Sequence, residues 1–252
     1  MSNWLIPVRN ALDAATEPVT FFFRDDDAGW SDKRLFQLLD LFAACDLPID
    51  LAVIPQALTP ELAHKICARV GEQPGRVGIH QHGLAHENHE REGRKCEFGP
   101  ARPRALQLHD LELGKEILAG HLGPMAQAIF TPPWNRCTAV TGDCLARLGF
   151  EALSRDHTAE RLNIRGLSEL PVRIDWFAKR KGERLDLDQL GALIAGAMND
   201  SEPIGIMFHH AAMGAEERGA AGELLALLSG HDRARCELMQ SLVGRVVRPR
   251  KV

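Results

Sequence analysis

Four of the chain's eleven histidines fall within ten residues, His80, His82, His86 and His89, just after the short apolar run Arg76–Ile79. Neutral imidazole is the commonest protein ligand for a transition metal, and a pair four residues apart lies on one side of a helical turn. The chemistry this spacing suggests is metal-assisted hydrolysis. Three more polar groups stand where apolar runs end: Asp25-Asp26-Asp27, Thr131-Pro132-Pro133-Trp134 and His209-His210. Taken singly, a triple aspartate is a solvated turn and a histidine pair is a structural pair. Their common position is what points to a site.

The elements that would carry these groups alternate. Strand-like runs are predicted at 19–23, 49–54, 76–79, 127–130, 151–154, 170–174 and 203–208. Helical patterns lie between most of them, near 103–121, 138–148, 186–199 and 215–229. Leu35, Leu38, Leu39 and Phe42 recur at helical spacing behind a Ser31 N-cap. Thr59-Pro60-Glu61 opens another helix, with Gly71 placed just past its end. Parallel neighbours need crossover connections, so seven strands separated by helices predict a parallel sheet with helices outside, closed into a barrel at this length. In such a barrel the strand ends converge on one mouth. Residues 81–102 exceed an ordinary connection and are expected to form a functional loop over it.

Composition narrows the partners. The chain has 252 residues, 45% hydrophobic and 25% charged, within the range of one globular domain, taken here as 1–252 with its motifs in 19–229. Thirty basic against 34 acidic residues give a net charge of −4, which favours neither nucleic acid nor an anionic membrane. The basic tail around Arg248, Arg250 and Lys251 reads as a solubilising terminus. No leader-like or membrane-spanning stretch is evident, so a cytoplasmic location is expected. The six cysteines are scattered without a Cys-x-x-Cys pair and are expected to be reduced, with Cys96, in a polar loop, the one exposed to oxidation.

With these motifs in place, the chain resembles the polysaccharide deacetylases, the NodB-homology or carbohydrate esterase 4 group. The resemblance implies an α/β fold, a distorted (β/α)7 barrel. Phe23-Arg24-Asp25-Asp26-Asp27 stands where the family has Thr-Phe-Asp-Asp-Gly, implying Asp25 as catalytic base and Asp26 as metal ligand. His82-Gly-Leu-Ala-His86 has the family's His-x-x-x-His spacing and implies two further ligands. Phe130-Thr-Pro-Pro-Trp134 is similar to its Arg-x-Pro-aromatic segment, and Ile206-Met-Phe-His209 to its Leu-x-His.

Two departures stand out. The arginine that would orient the base is absent from the Thr131-Pro132 segment, leaving Arg136 or Arg24 to replace it, and Gly83 follows His82 where the family has Ser or Thr. The Asp-Trp motif matches Asp175-Trp176 by letter and Asp156 by position.

The expected activity is deacetylation of an N-acetylated sugar or related small amide by a metal-dependent hydrolase of non-peptide C–N bonds. One carboxylate and two imidazoles leave open positions on a divalent ion for water, whose pKa falls to about 7 on zinc. Zn²⁺ is the default, and Co²⁺, Ni²⁺ and Fe²⁺ accept the same donors. Asp25 would take the proton, and a backbone N–H near Trp134 would hold the oxyanion. His209 would protonate the amine, kept charged by Asp156 or Asp175. His210 competes with His209, since strand alternation lets only one face the mouth. Pro133, Asp156 and Trp176 are placed around a small-molecule or oligosaccharide substrate, with the Trp134 and Trp176 rings available for stacking. Two alternatives remain: a barrel that binds carbohydrate or metal without turnover, and an amidohydrolase-like arrangement in which His80 and His82 bind together.

Overall fold

The computed structural model describes residues 2–200 and 202–245. Arg248, Arg250 and Lys251 of the expected basic tail lie outside the described residues. Helix α1 (Ile6–Ala14) precedes strand β1 (Val19–Ala28), and then come α2 (Asp32–Ala44), β2 (Ile49–Val53), α3 (Pro60–Glu72) and β3 (Val77–His82). After an irregular stretch follow α4 (Arg104–Leu122), β4 (Ala126–Thr131), α5 (Ala139–Arg147), β5 (Ala152–Leu153), β6 (Ser168–Glu169) and β7 (Val172–Asp175). A small hairpin of β8 (Lys179–Arg180) and β9 (Glu183–Arg184) leads to α6 (Leu187–Ala197), β10 (Ile204–Phe208), α7 (Ala215–Ser229), β11 (Ala234–Cys236) and α8 (Met239–Leu242). Among the described residues no helix is long and apolar enough to cross a membrane.

The main sheet is parallel, in the order β6-β5-β4-β3-β2-β1-β10-β7, with β11 beside the start of β1. Its two ends belong to one segment. Ser168, Leu170 and Val172 donate backbone N–H bonds to Glu151, Leu153 and Arg155, while Val172–Asp175 pairs with β10 on the opposite side. The span 168–175 therefore joins β5 to β10 and closes a seven-stranded ring, as the sequence predicts. The resulting fold is the distorted (β/α)7 barrel.

Alternation divides the side chains into two layers. Phe21, Phe23, Ile49, Leu51, Val53, Val77, Ile79, Ile206 and Phe208 point outward and form the main core with Leu35, Leu38, Leu39, Phe42, Leu224 and Leu228 of the surrounding helices. Phe22, Ile129, Val172 and Met207 fill the barrel interior, where Met239 and Leu242 pack beneath them. The lumen is tight: a Cβ on Gly205 would sit 2.3 Å from the Phe22 ring.

Local signals partly change meaning. Thr59 caps α3 as expected, its Oγ1 accepting from the Leu62 N–H at 3.1 Å. Ser31 occupies the N-cap of α2 but sits in the left-handed region (φ 52°) and makes no side-chain cap bond. Gly71 lies inside the last turn of α3, which continues to Glu72. The cysteines are free, and Cys96 is buried rather than exposed, its thiol donating to the Arg136 carbonyl at 3.3 Å.

Candidate active site

The strand layers decide which carboxylate of the aspartate run goes where. With Phe22 in the lumen, Arg24 and Asp26 also point inward, whereas Asp25 follows Phe21 and Phe23 outward. The alternation then breaks, since Asp25 pairs with Leu51 but the next pair is Ala28 with Val53, so β1 carries one extra residue. Asp27, at φ 69°, takes up the bulge.

The bulge turns the Asp27 carboxylate toward two histidines. Its Oδ1 lies 3.2 Å from both His82 Nε2 and His86 Nε2, and the three donor atoms are within 4.8 Å of one another. His82 Nδ1 donates to the Thr131 carbonyl at 3.0 Å, which orients the ring and leaves Nε2 facing the cluster. A set of two imidazole nitrogens and one carboxylate oxygen suits a transition-metal ion with open positions. The sequence expectation is thus corrected by one residue: Asp27, not Asp26, meets His82 and His86.

Asp26 sits beside this group, fully engaged with Arg24. Nε donates to Oδ1 at 2.7 Å and Nη2 to Oδ2 at 2.9 Å, with both side chains buried. Arg24 is anchored in turn by Ser154 Oγ and Asn135 Oδ1, each at 2.7 Å. Burial would raise the Asp26 pKa, but the Arg24 guanidinium, helped by His82 and His209, outweighs it and holds the carboxyl below its ordinary value. Of the two replacements considered for the missing arginine, Arg24 makes the contact. Arg136 instead donates to the Lys95 carbonyl.

Asp25 and His210 are paired with each other on the outer face of β1. Asp25 Oδ1 accepts the His210 backbone N–H at 2.9 Å, Oδ2 lies 2.6 Å from His210 Nδ1, and His210 Nε2 lies 2.6 Å from the Trp30 carbonyl. Both ring nitrogens thus face acceptors, so both carry hydrogens and the ring is an imidazolium. Although burial opposes the charge, Asp25 pushes the His210 pKa up to about 9. These contacts take Asp25 and His210 away from the cluster.

His209, half-buried at the end of β10, is on the lumen side and acts electrostatically on Asp26, Asp27 and Asp175. Asp175 closes this side: burial, with the nearby charges of Asp26 and Asp156, raises its pKa against the Phe177 N–H bond and His209. Asp156 itself caps a turn through Thr158. His80 lies one layer below His82, its Nε2 on Thr131 Oγ1 at 2.8 Å, and burial lowers its pKa to about 3. The alternative His80–His82 metal pair is therefore not what converges here.

The loop after β3 is fixed from beneath by the buried Glu97, which accepts from the Ala85 N–H at 2.8 Å and from Leu84. Gly83, at φ 59°, is required there, because a Cβ would lie 2.0 Å from Glu97 Oε2 and 2.6 Å from Pro133. Pro133 is buried against that glycine rather than open to a substrate. His86 itself adopts φ 58° and lies between two indoles, Trp134 at 4.4 Å and Trp30 at 4.8 Å between ring centroids. Trp176, expected at the mouth, is a core residue against Trp4 and Phe208.

No protein-family model and no curated protein matches the chain by sequence. Solved structures do match in shape. One, assigned as a polysaccharide deacetylase of Mycobacterium smegmatis, has a TM-score of 0.70 at 17% identity over 95% of each chain. A family 4 carbohydrate esterase of Streptomyces lividans, solved with acetate, gives 0.55 at 16% identity over 93% of this chain and 100% of that one. A CE4-family pseudoenzyme of Bacillus anthracis gives 0.56 at 10% identity over 90% of this chain and 66% of the other. The chain has the NodB-homology fold of the polysaccharide deacetylases.

Proposed function

We propose that this protein is a metal-dependent deacetylase, a hydrolase of non-peptide C–N bonds acting on an N-acetylated sugar or related small amide. The observation that carries the reading is the convergence of Asp27, His82 and His86 beside an aspartate, Asp26, clamped by a buried guanidinium. A divalent ion held by those three donors would supply Lewis acidity and an activated water.

The chain's own groups then divide the work. Asp26 accepts the proton of the attacking water, with Arg24 fixing the carboxylate and keeping it ionised. The Trp134 backbone N–H adds a donor for the oxyanion. His209 returns a proton to the leaving amine, with Asp175 across from it. Zn²⁺ remains the default ion, and Co²⁺, Ni²⁺ or Fe²⁺ suit the same donors. A barrel that binds without turnover rests on the missing motif arginine and on Gly83 in the place of a Ser or Thr. The Arg24–Asp26 pair supplies that contact from within β1 rather than from the Thr131-Pro132 segment and weighs against it.

The test is acetate release from a panel of N-acetyl sugars and small acetamides, together with bound-metal analysis. Asp26→Asn is expected to retain metal and lose turnover, whereas Asp27→Ala loses both. Turnover in Asp26→Asn equal to that of the native chain would falsify the assignment of the base, and a native chain that binds no divalent metal removes the reading altogether.

A further inference from the structure

The buried Asp25–His210 pair takes no part in the chemistry above, yet its contacts lead to the rim of the site. His210 Nε2–H donates to the carbonyl of Trp30, whose own N–H donates to the Asp27 carbonyl at 3.1 Å. Trp30 is thus held through both of its backbone polar groups, the carbonyl by the His210 ring and the N–H by the bulge that carries Asp27. Its indole packs edge-on against His86 at 66° and is still 41% exposed, among the most open large apolar side chains described. The second indole at His86 differs: Trp134 is half-buried, with the Lys95 ammonium 5.9 Å from its ring centroid.

A scattered exposed aromatic needs no explanation. This one abuts a donor of the metal cluster and is anchored by an ion pair with no exposed surface, which a solvent-facing ornament would not require. Resting on the deacetylase reading, we propose that Trp30 is a specificity-determining residue: its indole is the stacking platform for the pyranose ring of the acetylated substrate, and Asp25 and His210 are positioning residues that fix its backbone. A flat, rigid aromatic face buries the C–H face of a sugar at little entropic cost. It would do nothing comparable for a small acyclic amide, so the platform selects sugars over such amides.

The experiment uses the full chain loaded with Zn²⁺ and a β-1,4-linked tetramer of N-acetylglucosamine, read by intrinsic tryptophan fluorescence and by KM for acetate release. A saturable change is expected for the native chain. Trp30→Ala should weaken tetramer affinity about tenfold, roughly 1.4 kcal/mol, and Trp30→Phe should restore most of it. Leu187→Ala, which removes an equally exposed apolar side chain elsewhere, serves as the control and should leave affinity unchanged. Asp25→Asn should weaken tetramer affinity in the same sense, and adding Trp30→Ala to it should produce little further loss, whereas a merely structural defect would add in full. Trp30 is exposed, so its variants are expected to fold, and Trp30→Phe provides a milder check.

Equal affinity in the native and Trp30→Ala chains, or no tetramer binding by the native chain, overturns the platform. Its failure is distinguishable from failure of the deacetylase reading. Acetate release with an unchanged KM in Trp30→Ala preserves the enzyme and removes the platform. Trp30-dependent binding without acetate release preserves the platform and removes the enzyme.

Discussion

Arg24 and Asp26 stand two residues apart on β1 and face each other inside the barrel in a bidentate pair, at 2.7 and 2.9 Å. The guanidinium that orients the candidate base therefore comes from the base's own strand. Arg24→Lys keeps the charge but cannot present a fork to the carboxylate or reach Ser154 and Asn135 together. We predict a fall in turnover of about 10²-fold or more, corresponding to about 3 kcal/mol of lost transition-state stabilisation. Arg24→Ala should in addition cost about 3–5 kcal/mol of stability, because it strands a buried charge. Steady-state kinetics and urea unfolding measure the two effects; native-like turnover in Arg24→Lys removes the orienting role.

His209 and His210 adjoin in sequence and are separated in space by strand alternation, His210 on the buried Asp25 and His209 on the lumen side. His209→Ala should reduce turnover by roughly 10²–10⁴-fold with metal content unchanged. His210→Ala should instead lower stability by about 3–5 kcal/mol, since it leaves the Asp25 carboxylate buried and unpaired. Metal analysis, kinetics and denaturation on both variants check this; the reverse pattern would exchange their roles.

Glu97 holds the His86 loop through backbone N–H groups while burial raises its pKa against those bonds. Glu97→Ala is expected to weaken metal affinity about 10–100-fold without touching a ligand, the usual effect of removing an outer-sphere support. A competition titration with a chromogenic chelator reads it directly. Unchanged affinity would mean that His86 is held by Trp30 and Trp134 alone.

Asp50 predicts how stability varies with pH. It is fully buried, with Oδ2 on the Met239 N–H at 2.9 Å and no hydrogen-bond partner on Oδ1. Burial pushes its pKa up to about 7, above the unfolded value. Below about pH 4 the carboxyl is protonated in both states and costs nothing. As pH rises toward 7 the unfolded chain ionises freely while the folded one resists, so stability is lost, at most about 4 kcal/mol. Asp50→Asn preserves an acceptor for Met239 and should flatten the difference between urea midpoints at pH 5 and pH 8.5. An equal pH dependence in both chains refutes the assignment.

Much of the architecture was legible in the sequence because apolar runs and helical stripes are dense. Seven strand segments and the helices from 103 to 229 form close to where periodicity puts them, and His82 and His86 do converge, though from a strand end and a left-handed loop position rather than from the helical turn their spacing suggests. The carboxylates were harder. Three consecutive aspartates contain no signal for a bulge, so a match by letter puts Asp26 with His82 and His86, where Asp27 lies, and gives Asp25 the neighbouring place, where Asp26 lies against Arg24. The three phenylalanines before them, buried on alternating sides, could have placed Arg24 and Asp26 on one face. Trp30 and Glu97 carry no signal in the sequence, because neither lies in a motif. Trp176 misled because an Asp-Trp pair reads the same whether the ring meets substrate or the core.

The extra residue in β1 gives three identical side chains three separate placements, and under the proposed reading three separate occupations: Asp25 a strut, Asp26 a proton acceptor, Asp27 a ligand. Shortening the run by one aspartate would preserve the chemistry of the letters and scramble their employment, because the survivors would inherit each other's posts. Composition in this run is therefore worth little, and the count of residues is worth a great deal.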